Sequence, residues 1–288
     1  MKSILKHTDR TTPLGDILLK ESRRDAEEHF ESLAKSQYLG DNLVLCRILG
    51  GKKFFAFSND FGLSPHLILD GFWEYWLTKY FAQAIKPGDT VIDIGANLGY
   101  YTVIAADVVG ETGRVVAVEP NPEVCSTLRQ NVAINGFSSR TEVLNIALGG
   151  DEAAGSAPFF VPTGEPKNGR FTFEGEDHAH LSAHGDIFDV AIGRLAPDDF
   201  SRVDFIKIDV EGAEIGVLHS LRPIIERFKP KVVCEVNFGR GYDYAQVQEA
   251  IGTTQDLQFL DFNSKVKRLT KQMVEAERIH DDWLVCFG

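Results

Sequence analysis

From Thr90 onward the chain alternates short apolar runs with longer segments of helical period, and this rhythm limits its fold more than any other feature. VIDIG (91–95), RVVAVE (114–119), TEVLNIAL (141–148), VDFIKIDV (203–210) and KVVCEVN (231–237) are continuous and rich in valine and isoleucine. Strands of this kind are buried on both faces, which calls for helices above and below the sheet and for parallel pairing. Residues 99–109, 122–135, 212–228 and 244–251 have the helical spacing that would supply the cover. LQFLDFN (257–263) and DWLVCFG (282–288) read as two further strands, and the charged segment 264–281 between them shows no clear crossover helix. The expectation is an α/β, Rossmann-like fold with a seven-stranded, mostly parallel sheet whose last two strands are free to pair antiparallel.

The remainder divides around this core. Residues 1–87 form an extension with an amphipathic helix over 13–35 and a hairpin about Gly50-Gly51, a surface through which two copies could pair. Residues 88–288 form the ligand-binding domain, and within it 149–199 break the rhythm and are rich in Gly, Pro and His. A structureless loop of that length is improbable, so it should carry small elements and act as the substrate region. Thirty basic against forty-two acidic residues give a formal charge of −12, which opposes phosphate backbones and anionic bilayers unless a local basic patch overrides it. The start has no signal-like apolar core and no apolar run approaches the ~20 residues of a membrane span. A cytoplasmic protein with neither nucleic acid nor membrane as partner is expected, and Cys46, Cys125, Cys234 and Cys286, with no CxxC pair, read as buried free thiols.

In an open α/β sheet the ligand lies at the carboxyl ends of the strands, and the first βα turn is the usual place. A dinucleotide turn needs G-x-G-x-x-G so that a pyrophosphate can approach the backbone. Counted from Gly95, Asn97 and Tyr100 occupy the second and third glycine places. The turn G-A-N-L-G, with Gly95 and Gly99, instead suits a close ligand without a diphosphate, such as S-adenosylmethionine. Glu119, ending the second strand, is placed to accept hydrogen bonds from ribose hydroxyls. Asp93 is an acid in a buried run. It either bonds turn amides, meets a cofactor ammonium through water, or merely braces the loop.

On the fourth strand Lys207 and Asp209 share one face. Lys207 either neutralises Asp93, Asp209 or Glu235, or contacts substrate. Glu214 begins the next helix, where a capping role competes with a catalytic one. VIDIGANLGYYT, VVAVEPNPE, NIALGG and above all IKIDVEGAE, with LSPHLILDGFWEYWLTKYFAQAIKPGDT upstream and DDWLVCFG at the end, resemble the FkbM family of S-adenosylmethionine-dependent methyltransferases. The resemblance implies the class I methyltransferase fold with an antiparallel seventh strand, S-adenosylmethionine as methyl donor, and O-methylation of saccharide or polyketide hydroxyls. It also implies a cofactor loop of Asp93, Gly95, Asn97 and Gly99, with Glu119 at the ribose and Asn121 on the adenine side. Asn145 and Ala147 would flank the adenine, and Asp209 would stand beside the methionine end.

Methyl transfer to an alcohol needs a positioned nucleophile and a proton acceptor. The base candidates are Asp209 and Glu211, then Glu235, with Lys207 beside them. His178, His180 and His184 offer a base or a metal ligand set, although a glycine-rich loop is a poor frame for a closed one, and no metal is expected. Trp73, Glu74, Tyr75 and Trp76 either wall the pocket or anchor a helix to the core. The competing functions are RNA or protein methylation, nicotinamide-dependent oxidoreduction, and a non-catalytic cofactor-binding interaction module.

Overall fold

The computed structural model describes residues 14, 18, 22–149, 155–165, 168–172, 175–253, 256–277 and 282–288. The amino-terminal part holds helix α1 (Arg23–Leu33), strands β1 (Lys35–Gly40), β2 (Leu43–Ile48) and β3 (Lys52–Phe57), and helices α2 (Ser64–Leu69) and α3 (Tyr75–Ala84). The alternating part begins with β4 (Thr90–Ile94), α4 (Tyr100–Val109), β5 (Arg114–Val118), α5 (Pro122–Ile134) and β6 (Thr141–Leu144). Next come β7 (Ala147–Leu148), β8 (Gly155–Pro162), β9 (Arg170–Phe171), α6 (His178–Ser182) and β10 (Gly185–Gly193). The chain ends with β11 (Phe205–Ile208), α7 (Glu214–Phe228), β12 (Lys231–Asn237), α8 (Tyr244–Ile251), β13 (Leu257–Leu260), β14 (Val266–Leu269), α9 (Lys271–Glu277) and β15 (Asp282–Phe287).

The large sheet has the order β14–β13–β15–β12–β11–β4–β5–β6. The five strands from β12 to the β6 edge are parallel, and β15 lies antiparallel between β12 and β13. Every residue of β4 and β11 is buried, as continuous apolar strands covered on both faces must be. Because β4 pairs with β5 on one side and β11 on the other, chain order reverses there and a crevice opens at the strand ends.

The sheet has eight strands rather than the expected seven. Val266–Leu269 pairs antiparallel with β13 and forms the edge. Its sequence, VKRL, hides the strand because the edge position tolerates charge: Lys267 pairs with Asp261 and Arg268 with Asp256.

The amino-terminal part is built on the expected β2–β3 hairpin, to which β1 adds a third strand. Of the helix expected over 13–35, Leu14 and Leu18 are helical and buried and α1 covers 23–33. The rest of its first turns lies outside the described residues. Phe30, Phe54 and Phe81 join Tyr101 and Val103 of α4 in one core. Asn131 of α5, fully buried, ties β3 to the turn after β4: it accepts from the Phe55 N–H and donates to the carbonyls of Phe55 and Leu98.

The segment after β6 does carry its own elements, a second sheet of order β7–β10–β8–β9. It packs Ala147, Phe159, Val161 and Val190 together. All four cysteines are buried free thiols. Among the described residues no helix is long and apolar enough to cross a membrane.

Candidate functional site

The carboxyl ends of β4, β5, β11 and β12 open on a cavity of about 370 Å³, within the range of small-molecule sites. Gly95 forms its floor with φ +71°. A Cβ there would lie 1.7 Å from the Asp209 carbonyl oxygen, so the neighbouring strand end, before any ligand, requires glycine. Gly99 has φ +92°, and a Cβ would meet Leu128 of α5 at 2.2 Å. Asn97 is left-handed at φ +52°, and its side chain accepts the Leu98 N–H at 2.6 Å. Tyr100 is buried, with its hydroxyl accepting the Trp73 N–H and meeting Thr78 Oγ1. Its ring borders the cavity while its hydroxyl anchors the GFWEYW segment.

Glu119 braces two loops at once. Its carboxylate accepts the Asn97 N–H at 2.9 Å and the Asn121 N–H at 2.8 Å. Burial pushes its pKa up to about 7 despite those two donors, and the charges of Asp93 and Asp209 add to the rise. Four lone-pair sites and two protein donors leave acceptor capacity facing the cavity. Asn121 caps α5, its side chain accepting from Glu123 and Val124. Asn145 donates to the carbonyls of Glu119 and Pro120, locking the ends of β5 and β6 together. Ala147, on β7, lines the cavity beside Ile146 and Leu148, and Phe159 and Phe171 of the second sheet face it as an edge-on aromatic pair.

Asp93 is fully buried and is not among the lining residues. It accepts no turn amide; Thr102 Oγ1 donates to it at 2.6 Å, and Lys207 Nζ lies 3.8 Å away. Burial raises its pKa against the pull of Lys207. Lys207 donates to Asp209 at 3.1 Å and sits 5.1 Å from the centre of the Tyr101 ring. Burial works against its charge, but Asp209, Asp93 and Glu235 prevail and raise its pKa. It is therefore an ammonium, the ion-pair alternative, and no base at neutral pH. Glu211, at φ +51°, is bonded to Arg240 at 2.5 Å, and Glu214 accepts the Gly212 N–H at the head of α7.

Glu235 stands beside Asp209, one position past the paired Ile208 and Cys234, and both line the cavity. The charge of Asp209, then burial, then Glu74 and Asp282 push its pKa well above the usual carboxylate range. Sequence reasoning left out Asp282 and gave Glu74 only as part of an aromatic run. Asp282 lies opposite Asn237, whose amide donates to it at 2.8 Å, so β15 carries it next to β12. Glu74 heads α3 at φ +38° and accepts the Tyr101 hydroxyl at 2.8 Å. Within GFWEYW the two alternatives divide: Trp73 and Glu74 line the cavity, whereas Tyr75 is buried and Trp76 packs edge-on against Phe262. His178, His180 and His184 are exposed and outside the cavity, and among the described residues no three His, Cys, Asp or Glu side chains are arranged to hold a metal.

The sequence profile of the methyltransferase FkbM domain matches residues 93–260, more than half of the chain, from within β4 through the other parallel strands. A curated relative, Methyltransferase 1 of Beauveria bassiana, is 24% identical over 163 residues, which is 51% of this chain and 65% of that one. Arsenite methyltransferase of Halobacterium salinarum is 46% identical over 57 residues, 20% of this chain and 14% of that protein. The chain thus spans less than two thirds of either relative. A crystal structure of the FkbM methyltransferase from Methylobacillus flagellatus KT aligns with 73% of this chain and 49% of its own at 18% identity and a TM-score of 0.42. With its profile matched from the middle of β4 to the end of β13, this chain belongs to the methyltransferase FkbM family, whose methyl donor is S-adenosylmethionine.

Proposed function

We propose that the protein is an S-adenosylmethionine-dependent O-methyltransferase acting on a hydroxyl of a small molecule, with a saccharide or polyketide-like compound as acceptor. The carrying observation is the charge of the cavity. Among the described residues six acidic side chains line it, Glu74, Glu119, Asp209, Glu211, Glu235 and Asp282, against one lysine, Lys207. Such a wall suits a ligand with a sulfonium and an ammonium and opposes a diphosphate, which keeps nicotinamide dinucleotides out. When bound, the cofactor supplies an electrophilic methyl group. Glu119 accepts the ribose hydroxyls, Asp209 and its Lys207 partner hold the amino-acid end, and the aromatic pair of the second sheet encloses the adenine side.

Among the base candidates, Glu211 is held by Arg240, Lys207 is an ammonium, and Asp209 is hydrogen-bonded to Lys207. That leaves Glu235 to take the hydroxyl proton. Its raised proton affinity suits the task, and a bound cation keeps it ionised until the proton arrives. Calorimetry with S-adenosylmethionine, followed by turnover on a panel of saccharides and polyketide alcohols, tests the proposal. Glu235→Gln is expected to keep cofactor affinity within about threefold and lose roughly 10²- to 10⁴-fold in kcat. Absence of cofactor binding, with Glu119→Ala indistinguishable from the parent, overturns it. The acidic cavity and the net charge of −12 argue against nucleic acid as acceptor.

A further inference from the structure

The outer face of the amino-terminal sheet carries a charge pattern that the cavity chemistry does not use. In register, Lys35 of β1 stands opposite Arg47 of β2, and Arg47 opposite Lys53 of β3. Directly paired residues project on one face, so three cations form a ladder across three strands. The same three residues line a shallow groove of about 290 Å³ together with Gln37 and Leu45. Like charges directly opposite one another destabilise a sheet. Several other strand cations are neutralised: Lys52 pairs with Asp107, Lys267 with Asp261 and Arg268 with Asp256. Among the described residues Lys35, Arg47 and Lys53 have no acidic partner, in a chain with forty-two acids to place.

We propose that the Lys35–Arg47–Lys53 ladder is an anion site for a phosphate group. Strand spacing of about 4.8 Å sets the backbones of the outer two residues roughly 10 Å apart, room for a phosphate or diphosphate with donors on either side. Half-buried Arg47 at the centre offers a planar fork that binds two phosphate oxygens, and the lysines flank it as point charges. The site is distinct from the cavity. Lys53 is bonded through its backbone to Asn135, past the carboxyl end of α5, whereas Asn121 at the amino end of that helix borders the cavity loops, about 20 Å of helix away. The ladder also supplies a local basic patch on a chain whose net charge repels phosphates.

The phosphate has two sources, a free phosphorylated metabolite and a lipid headgroup. The test uses the full chain at low ionic strength, with inorganic pyrophosphate in one arm and phosphatidic acid in phosphatidylcholine vesicles in the other. The parent is expected to bind pyrophosphate, Arg47→Gln to bind it about tenfold more weakly, and the triple variant Lys35→Gln, Arg47→Gln, Lys53→Gln to bind none. Ladder-dependent binding to vesicles alone also supports the site and assigns the phosphate to a lipid. Binding in neither arm, or binding that survives the triple substitution, overturns it. Without ligand the triple variant is expected to have a Tm equal to or above the parent's, with unchanged S-adenosylmethionine affinity. A lower Tm would show the ladder to be a stabilising feature and would also overturn the proposal.

Discussion

Replacing Glu119 by glutamine separates the charge of the β5 carboxylate from its shape. The parent side chain satisfies two backbone donors, from Asn97 and Asn121, at 2.9 and 2.8 Å. Glutamine keeps one and turns an amide NH2 toward the other, a loss of about 1 to 3 kcal/mol. Against that stands the energy of burying a charge. With the pKa raised from 4.5 to about 7, ionising Glu119 in the folded protein costs on the order of 3 kcal/mol above neutrality. The folded-state pKa is the higher one, so its stabilising contribution is complete below about pH 4.5 and disappears as pH rises through about 7. Glu119→Gln is therefore expected to be less stable than the parent near pH 5 and equal or more stable near pH 8, read by urea unfolding at the two values. Cofactor binding should show the opposite trend. A ribose hydroxyl bonded to a carboxylate contributes about 1.5 to 3 kcal/mol, which sets the Glu119→Gln loss near pH 8 at roughly 10- to 150-fold in Kd for each such bond lost. Parent affinity should climb up to about tenfold per pH unit below 7 and level off above it, with proton release visible by calorimetry in buffers of different ionisation enthalpy. Affinities within about threefold at pH 8, or a stability difference that does not change with pH, would refute the assignment of a raised, cofactor-facing carboxyl to Glu119.

Three further substitutions test the frame around the cavity. Lys207→Met leaves Asp93 buried beside Thr102 with no counter-charge, an expected loss of about 3 to 5 kcal/mol in urea unfolding that shrinks at low pH as Asp93 takes up a proton. Gly95→Ala drives a Cβ to 1.7 Å from the Asp209 carbonyl and should cost about 3 kcal/mol or more, seen as lost soluble expression or a large fall in Tm. Asn131→Leu keeps the branched shape but strips partners from Phe55 N–H, Phe55 C=O and Leu98 C=O. It should lower stability by about 3 kcal/mol and, through the turn after β4, weaken S-adenosylmethionine binding; unchanged affinity would separate the amino-terminal sheet from the site.

The parallel core was legible because burial on both faces forces a continuous apolar run, a property written residue by residue in VIDIG or KVVCEVN. Of the candidate site, what was legible is which strand ends reach the cavity, as for Glu119 at the end of β5. Gly95 was read as room for a ligand, yet what fills the space beside it is the carbonyl of Asp209, a neighbour 114 positions later in the chain that only strand order brings close. The acids show the same limit. Asp209, Glu211 and Glu235 stand at the ends of recognisable strands, but Asp282 reaches Glu235 because β15 inserts antiparallel beside β12, and Glu74 arrives from a helix head in a left-handed conformation. Charges from three separate elements thus raise the proton affinity of Glu235, and no local pattern around residue 235 records any of them. A mid-strand lysine follows from the same geometry. With Asp93 on β4 and Asp209 at its own strand end, Lys207 is held between two carboxylates that would otherwise repel, so its charge stabilises the crevice in which the cationic cofactor is proposed to sit. Removing that lysine and removing the cofactor therefore act on one set of acids, and their effects on stability should not be additive.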